Sequence, residues 1–289
     1  MKVSLIIPTY NAEKYIEKLL DILLAQTVKA EIIVMDSESL DNTVDIVKKY
    51  KEQVKLIQIP KEEFNHGASR DYALKQSQGE VVIFMTQDAL PTNEHAIENL
   101  LKGFEKKDVA GVYGRQIAYE DASAYEKLTR NFNYSSKEKI WREEDIETLG
   151  VKSYFFSNVF AAYLRSAYEQ VGGFDHGIMT NEDMLIAAKF IHSGFALAYA
   201  PDAKVYHSHR FTLKEDFRRN YKIGFIMEQY KDRLKGADSN SEGFRMVRFV
   251  SGKLIKKMKF ISLFLFCVHV FTRLMGNKAG KRAYRKKVK

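Results

Sequence analysis

The stretch Glu80-Val-Val-Ile-Phe-Met-Thr-Gln-Asp-Ala-Leu-Pro91 constrains this chain more than any other. An apolar run rich in β-branched residues, preceded by Gly79, gives way abruptly to Gln87-Asp88 and then Pro91. A continuous run, rather than an alternating one, is the pattern of a strand buried on both faces, as inside a parallel sheet. Open α/β sheets bind ligands just beyond the carboxyl ends of such strands. A carboxylate there, Asp88, suits a divalent cation, because Mg²⁺ and Mn²⁺ favour oxygen ligands and are often shared with substrate phosphates. The competing role for Asp88 is to cap the helix that starts near Asn93.

The body of the chain repeats this unit. Strand-like runs fall at residues 3–7, 31–35, 55–59, 81–85 and 109–113, and helical patterns at 13–25, 42–50, 68–76 and 93–104. In the first helix the apolar residues are Ile16, Leu19, Leu20 and Leu23, a single stripe. Alternation at this spacing predicts a three-layer α/β/α sandwich around a mainly parallel central sheet. Residues 119–154 break the rhythm; aromatic and charged, they are expected as helices or loops over the sheet. Beyond them, 155–163 read as strand, 165–171 and 182–192 as helix, and 196–206 as extended.

Composition bounds the rest. With 289 residues, 45% of them hydrophobic, the chain can bury one large domain, or a domain and an appendage. A single cysteine, Cys267, excludes an intramolecular disulfide framework and a four-cysteine zinc site, and fits a reducing compartment. The run from Lys2 to Ile7 is too short for a signal peptide's apolar core and lacks a small-residue cleavage site, which places the chain in the cytoplasm. The formal charge of +9 is unevenly spread: no acidic residue follows Glu242, whereas 14 basic ones do, ending at Lys289. An acidic body therefore carries a basic tail. Phe244, Val247, Leu254, Met258 and Ile261 recur there at helical spacing, and the apolar run from Phe260 to Phe271 is shorter than the roughly 20 residues a bilayer crossing needs. Basic amphipathic helices of this kind lie in membrane interfaces, so an anionic membrane surface is an expected partner; the alternative is a helix packed on the body.

Read together, four consecutive strand ends deliver polar groups to one edge. They are Pro8-Thr9-Tyr10-Asn11, then Asp36-Ser37-Glu38-Ser39, then Phe64-Asn65-His66-Gly67-Ala68-Ser69-Arg70, and Gln87-Asp88. Over residues 3–211 this ordered set resembles the inverting, GT-A-fold glycosyltransferases of family 2. The stretch from Phe64 to Arg70 is particularly similar to bacterial rhamnosyltransferases that build surface polysaccharides. The resemblance implies a GT-A domain over 1–212, with a helical, basic extension over 213–289. It also implies a nucleotide-sugar donor, a saccharide or lipid-linked acceptor, and Mg²⁺ or Mn²⁺ as cofactor. The site of action would be peripheral, on the inner face of the plasma membrane. No nucleic acid is expected, and the oligomeric state is left open.

The same resemblance distributes roles. Pro8, Thr9, Tyr10 and Asp36 fall to the pyrimidine nucleoside, since a carboxylate can accept from a ring N–H. His66, Gly67 and Arg70 fall to the donor, Arg70 as a bidentate phosphate ligand and Gly67 by close approach or positive φ. Gln87 stands at the donor edge where the family commonly has an acid, leaving Asp88 as the metal carboxylate. His207, in Tyr206-His207-Ser208-His209, completes the metal set, and side chains two apart on a strand share a face. Gly172-Gly173-Phe174-Asp175 and Asn181-Glu182-Asp183 match the acceptor side, with Asp183 as catalytic base and Glu182 as acceptor contact or orienter. Trp141 lies outside the Gln-x-x-Arg-Trp pattern of processive synthases, so one sugar per encounter is expected. A sugar-1-phosphate nucleotidyltransferase would need a Gly-x-Gly-Thr-Arg loop after the first strand, which is absent. An inactive transferase-like binding module is the other competing reading, encouraged by the single metal carboxylate.

Overall fold

A computed structural model describes residues 1–236 and 239–288, with backbone alone at Ser239 and Asn240; Lys289 lies outside the described residues. The first half alternates β1 (Val3–Thr9), α1 (Ile16–Leu24), β2 (Glu31–Asp36), α2 (Thr43–Lys48), β3 (Val54–Gln58), α3 (His66–Lys75), β4 (Val81–Met85), β5 (Leu90–Pro91) and α4 (Ala96–Leu101). The second half adds β6 (Val109–Ile117), α5 (Ala124–Asn133), β7 (Lys139–Trp141), α6 (Ile146–Leu149), β8 (Phe160–Leu164), α7 (Arg165–Gln170), α8 (Glu182–His192) and β9 (Ala196–Tyr206). Three helices close the chain: α9 (Leu213–Gln229), α10 (Ser239–Lys256) and α11 (Phe260–Val288).

One sheet has the order β3-β2-β1-β4-β8-β6-β9-β5, with β7 also pairing with β9. The first four strands are parallel. Beyond them β8 runs antiparallel to both β4 and β6, β6 and β9 are parallel, and β5 and β7 are antiparallel to β9. Uninterrupted parallel pairing thus belongs to the N-terminal half, and in the other half it survives between β6 and β9. Burial on both faces explains the continuous apolar runs: Leu5, Ile7 and Ile83 join one core cluster, Ile6, Val82 and Phe84 the other. Each such side chain, taken fully from water, contributes about 1.5–3 kcal/mol. The aperiodic stretch 119–154 yields α5 and α6 as expected, but also β7, whose three residues are too few to show a period.

The closing helices pack on the body and on one another. α11 runs parallel to α9, held by a hydrogen bond between His269 and Asp216 and by ion pairs from Asp216 to Arg273 and from Glu228 to Arg285. Their backbones nearly touch: a Cβ at Gly280 would lie 1.9 Å from the Tyr221 carbonyl oxygen, and one at Gly276 2.5 Å from that of Phe217. Gly276-x-x-x-Gly280 is the small-residue spacing that permits such approach. Val250, Leu254 and Phe266 form a third core cluster against Tyr125 and Leu128 of α5. The apolar run from Phe260 to Phe271, by itself short of a bilayer crossing, belongs to a helix of 29 residues. Among the described residues it is the one helix long and apolar enough to cross a membrane by length and composition, and its apolar window is 11% buried.

Candidate active site

The carboxyl ends of β1, β2 and β4 are tied to each other. Parallel register sets Thr9 beside Asp36, and Thr9 Oγ1 donates to Asp36 Oδ2 at 3.0 Å. Ser39 donates its backbone N–H to Asp36 Oδ1 and its hydroxyl to Oδ2. Asp36 is thus fully buried with both oxygens engaged. Ser37, where the family often has a second acid, donates its hydroxyl to the Thr9 carbonyl. Gln87 clasps Tyr10: its Oε1 accepts from the Tyr10 N–H at 2.9 Å and its Nε2 donates to the Tyr10 carbonyl at 3.1 Å. Only an amide side chain performs both halves of that clasp, which gives a physical reason for glutamine where an acid is common. Pro8 sits within β1.

α3 begins where the side chain of Asn65 accepts from the N–H groups of Gly67 and Ala68. Gly67 answers to close approach, not to positive φ: a Cβ there would lie 2.7 Å from the Asp175 carbonyl oxygen. His66 and Arg70 follow on the same helix. Arg70 is buried, donating from Nη1 to the His66 carbonyl at 2.8 Å and to Glu182 Oε1 at 3.1 Å, while its buried Nε has no partner. Asp71, the neighbour that could have paired with Arg70, instead accepts from Tyr168 and meets His176.

Arg70 brings the donor-side helix to the start of α8. Glu182 is also buried, its Oε1 accepting from Arg70 and from Asn158 Nδ2 at 3.2 Å. The carboxylate expected to meet an acceptor is therefore enclosed by protein donors. Asp183 is half-buried and accepts weakly from the Asn158 N–H at 3.3 Å and from the Met184 N–H at 2.9 Å. Removal from water, and then the adjacent Glu182 charge, push the Asp183 carboxyl up to about 7. Glu182 moves the other way: Arg70 and then His66 outweigh its burial and hold it below the usual range. The pair is thus divided into one fixed anion and one group able to take or release a proton near neutrality.

Asp88, His207 and His209 converge just beyond β4 and β9. Both histidine Nε2 atoms lie 3.6 Å from Asp88 Oδ2, and the ligand atoms of the three residues all fall within 4.8 Å of one another. Burial, followed by the Arg130, His209 and Arg219 charges, holds the His207 imidazole well below its usual range, and burial does the same for His209. Neutral imidazoles and a carboxylate suit a transition-metal ion, so the donor set fits the implied cofactor. His207 and His209, two residues apart where β9 ends, both reach the cluster.

A cavity of about 370 Å³ is lined by Asp183, Glu182, Arg70, His66 and His207, together with Arg130 and Arg219. A second, of about 790 Å³, opens on the His209 side among Tyr15, Tyr119, Tyr125 and Phe211. Both lie in the size range of small-ligand sites. Arg219, from α9, packs over Phe211 at 5.2 Å and makes no ion pair with a carboxylate among the described residues. Neither arginine announced itself: Arg130 stands in the aperiodic stretch and Arg219 in a helix rich in surface charge.

A curled mixed sheet with a metal-ligand cluster and a carboxylate cleft along one edge is the arrangement of a GT-A glycosyltransferase. Mannosyltransferase PcManGT from Pyrobaculum calidifontis, in complex with GDP-Man and Mn²⁺, shares this fold with TM-score 0.63 and 19% identity, over 98% of this chain and 84% of that one. Staphylococcus aureus TarS 1-349, in complex with UDP-GlcNAc, gives 0.58 and 18% over 99% and 92%. Residues 4–172 match the family described as Glycosyl transferase family 2, and the chain belongs to that family. It is 40% identical to the O-antigen chain rhamnosyltransferase RfbN of Salmonella typhimurium over 97% of this chain and 90% of the relative. It is 37% identical to WbaN of Salmonella anatum, also an O-antigen chain rhamnosyltransferase, over 96% and 89%.

Proposed function

We propose that the protein transfers rhamnose from dTDP-rhamnose to a hydroxyl of a saccharide or lipid-linked saccharide, with inversion, during assembly of a bacterial surface polysaccharide. The observation that carries this reading is the likeness to O-antigen chain rhamnosyltransferases along nearly the whole chain. In the reaction the acceptor oxygen bonds to the anomeric carbon as the bond from that carbon to the diphosphate oxygen breaks, its electron pair leaving with dTDP. Asp183 takes the hydroxyl proton, and its elevated pKa suits a base working near neutral pH. Arg70 holds Glu182, which keeps Asp183 in place and basic. Mg²⁺ or Mn²⁺ held by Asp88, His207 and His209 would neutralise charge on the diphosphate. Arg219 offers further positive charge to the same leaving group. Thymine would be read by Asp36 beside Pro8, Thr9 and Tyr10, its ring N–H taking the place of the Ser39 hydroxyl. A panel of dTDP- and UDP-sugars, assayed with Mn²⁺ or Mg²⁺ and a saccharide acceptor, tests the assignment. Turnover of dTDP-rhamnose is expected; failure of every donor to bind or react overturns it.

We further infer that residues 1–212 form the catalytic domain, to whose cleft α9 adds Arg219, and that 213–289 extend it toward the inner face of the plasma membrane. Phe260, Phe264 and Phe271 are exposed along one stripe of α11, with Lys256, Lys257, Lys259 and Lys278 beside it. The opposite face is occupied by α9. A helix so held lies in the interface rather than crossing it, because crossing would drag the charged α9 with it. Replacing the three phenylalanines by serine is expected to abolish co-sedimentation with anionic liposomes at low salt while nucleotide binding persists. Undiminished liposome binding would overturn the membrane reading. This triple variant is a cleaner test than truncation after Glu242, which would also uncover α5.

A further inference from the structure

The two ring nitrogens of His207 have different neighbours. Nε2 faces Asp88 at 3.6 Å, whereas Nδ1 lies 2.9 Å from Gln116 Oε1. Gln116, at the end of β6, is 3% exposed. Its Nε2 donates to Ser157 Oγ at 2.9 Å, and its Oε1 accepts from Arg130 Nη1. Arg130 is itself fixed by Glu126, whose Oε1 accepts from Arg130 Nε at 2.9 Å. An amide flipped end for end would point its NH₂ at the guanidinium, two donors facing each other, so the oxygen must be the end that meets His207. An acceptor at that point requires the hydrogen on Nδ1, which leaves the Nε2 lone pair directed at the Asp88–His209 cluster.

We infer that Gln116 is a positioning residue: pinned by Arg130 and Ser157, it selects the Nδ1–H tautomer of His207 and thereby sets the divalent-cation affinity of the Asp88, His207 and His209 cluster. Partners that orient a ligating imidazole through its second nitrogen typically change metal affinity about 10–100-fold when removed. The inference rests on the reading of that cluster as the metal site, and a test can separate the two. Mn²⁺ alone is titrated into the full chain, with bound ion followed by electron paramagnetic resonance, for wild type, Asp88→Ala, Gln116→Leu and Gln116→Glu.

Wild type is expected to bind Mn²⁺ and Asp88→Ala to lose it. Gln116→Leu, near in size but without an acceptor, should bind about 10–100-fold more weakly. Gln116→Glu, which keeps an acceptor toward Nδ1 and gains charge complementarity with Arg130, should remain close to wild type. Mn²⁺ binding unaffected by Asp88→Ala sinks the metal-site reading itself. Binding that depends on Asp88 but is equal in wild type and Gln116→Leu sinks the role of Gln116 and leaves the site standing. Nitrogen-15 spectra of the metal-free wild type give an answer independent of how the variants fold: the His207 hydrogen should sit on Nδ1, and its appearance on Nε2 overturns the inference.

Discussion

The two halves of the sheet treat their polar groups in opposite ways. At the ends of β1 and β2, and at Gln87 just beyond β4, polar side chains are spent on a neighbouring strand or loop: Asp36 on Thr9 and Ser39, Gln87 on both backbone groups of Tyr10, Asn11 on the Leu40 N–H. On the far side of β4 the groups face a cleft with their charge incompletely answered. Among the described residues Asp183 has two backbone donors and no cation, Arg70 keeps an unpartnered Nε, and Arg219 has no carboxylate. The first region behaves as a closed platform and the second as the place where a proton and a leaving group can be received. Charged and titratable groups left partly uncompensated in a cleft are informative about function.

The comparison is broken most severely at Asp183. Asp183→Asn is expected to lower kcat by about 10²–10⁴-fold with nucleotide affinity nearly unchanged. Asp88→Ala, by contrast, should weaken metal-dependent binding of the donor, read by calorimetry with and without Mn²⁺. Equal loss of donor affinity in both variants would erase the division of labour. Arg219→Ala comes next: an exposed cation facing the leaving diphosphate should matter to donor turnover but not to folding, so kcat/KM should fall about 10-fold while Tm holds. A variant with unaltered kinetics would return Arg219 to the ordinary surface.

The pH profile sharpens the same contrast with a smaller effect. Asp183 acts as a base only when ionised, so kcat/KM should decline with unit slope as pH falls through about 7. Burial and then Glu182 raise that group, so Glu182→Gln removes the second cause and not the first. It also frees the Arg70 charge to favour the Asp183 anion. Both consequences act in one direction, and the acid limb should move to lower pH. A limb that stays in place or climbs would show that Asp183 is not the titrating base.

How much of this was readable in advance follows the same division. The platform half announces itself because double burial writes continuous apolar runs, and β1, β2 and β4 fall where those runs stand. Asp88, His207 and Asp183 stand out in the sequence because each ends or begins a patterned element. Gln116 was missed because β6 continues to Ile117, past Tyr113 where its apolar run stops. Arg130, Asn158 and Arg219 stand outside any strand end, and only tertiary packing brings them to the cleft. Arg70 was read as a phosphate ligand; its pairing with Glu182, 112 residues away, is invisible to local pattern.

The smallest expected effect tests why the platform is closed at all. Gln87→Glu keeps the acceptor for the Tyr10 N–H but sets a second oxygen against the Tyr10 carbonyl, where the amide now donates at 3.1 Å. One exchanged hydrogen bond of this kind is worth about 1 kcal/mol, which for a domain of this size lowers Tm by about 2–4 °C. The new carboxylate also stands next to Asp88, so Mn²⁺ should recover part of the loss by binding the folded state. Thermal unfolding of the variant with and without Mn²⁺ separates the two contributions. A metal-free Tm equal to wild type would mean that the clasp does not hold β1 to β4. A lower Tm without recovery in Mn²⁺ would mean that the carboxylate at 87 cannot reach the ion, and that glutamine serves here for the clasp alone.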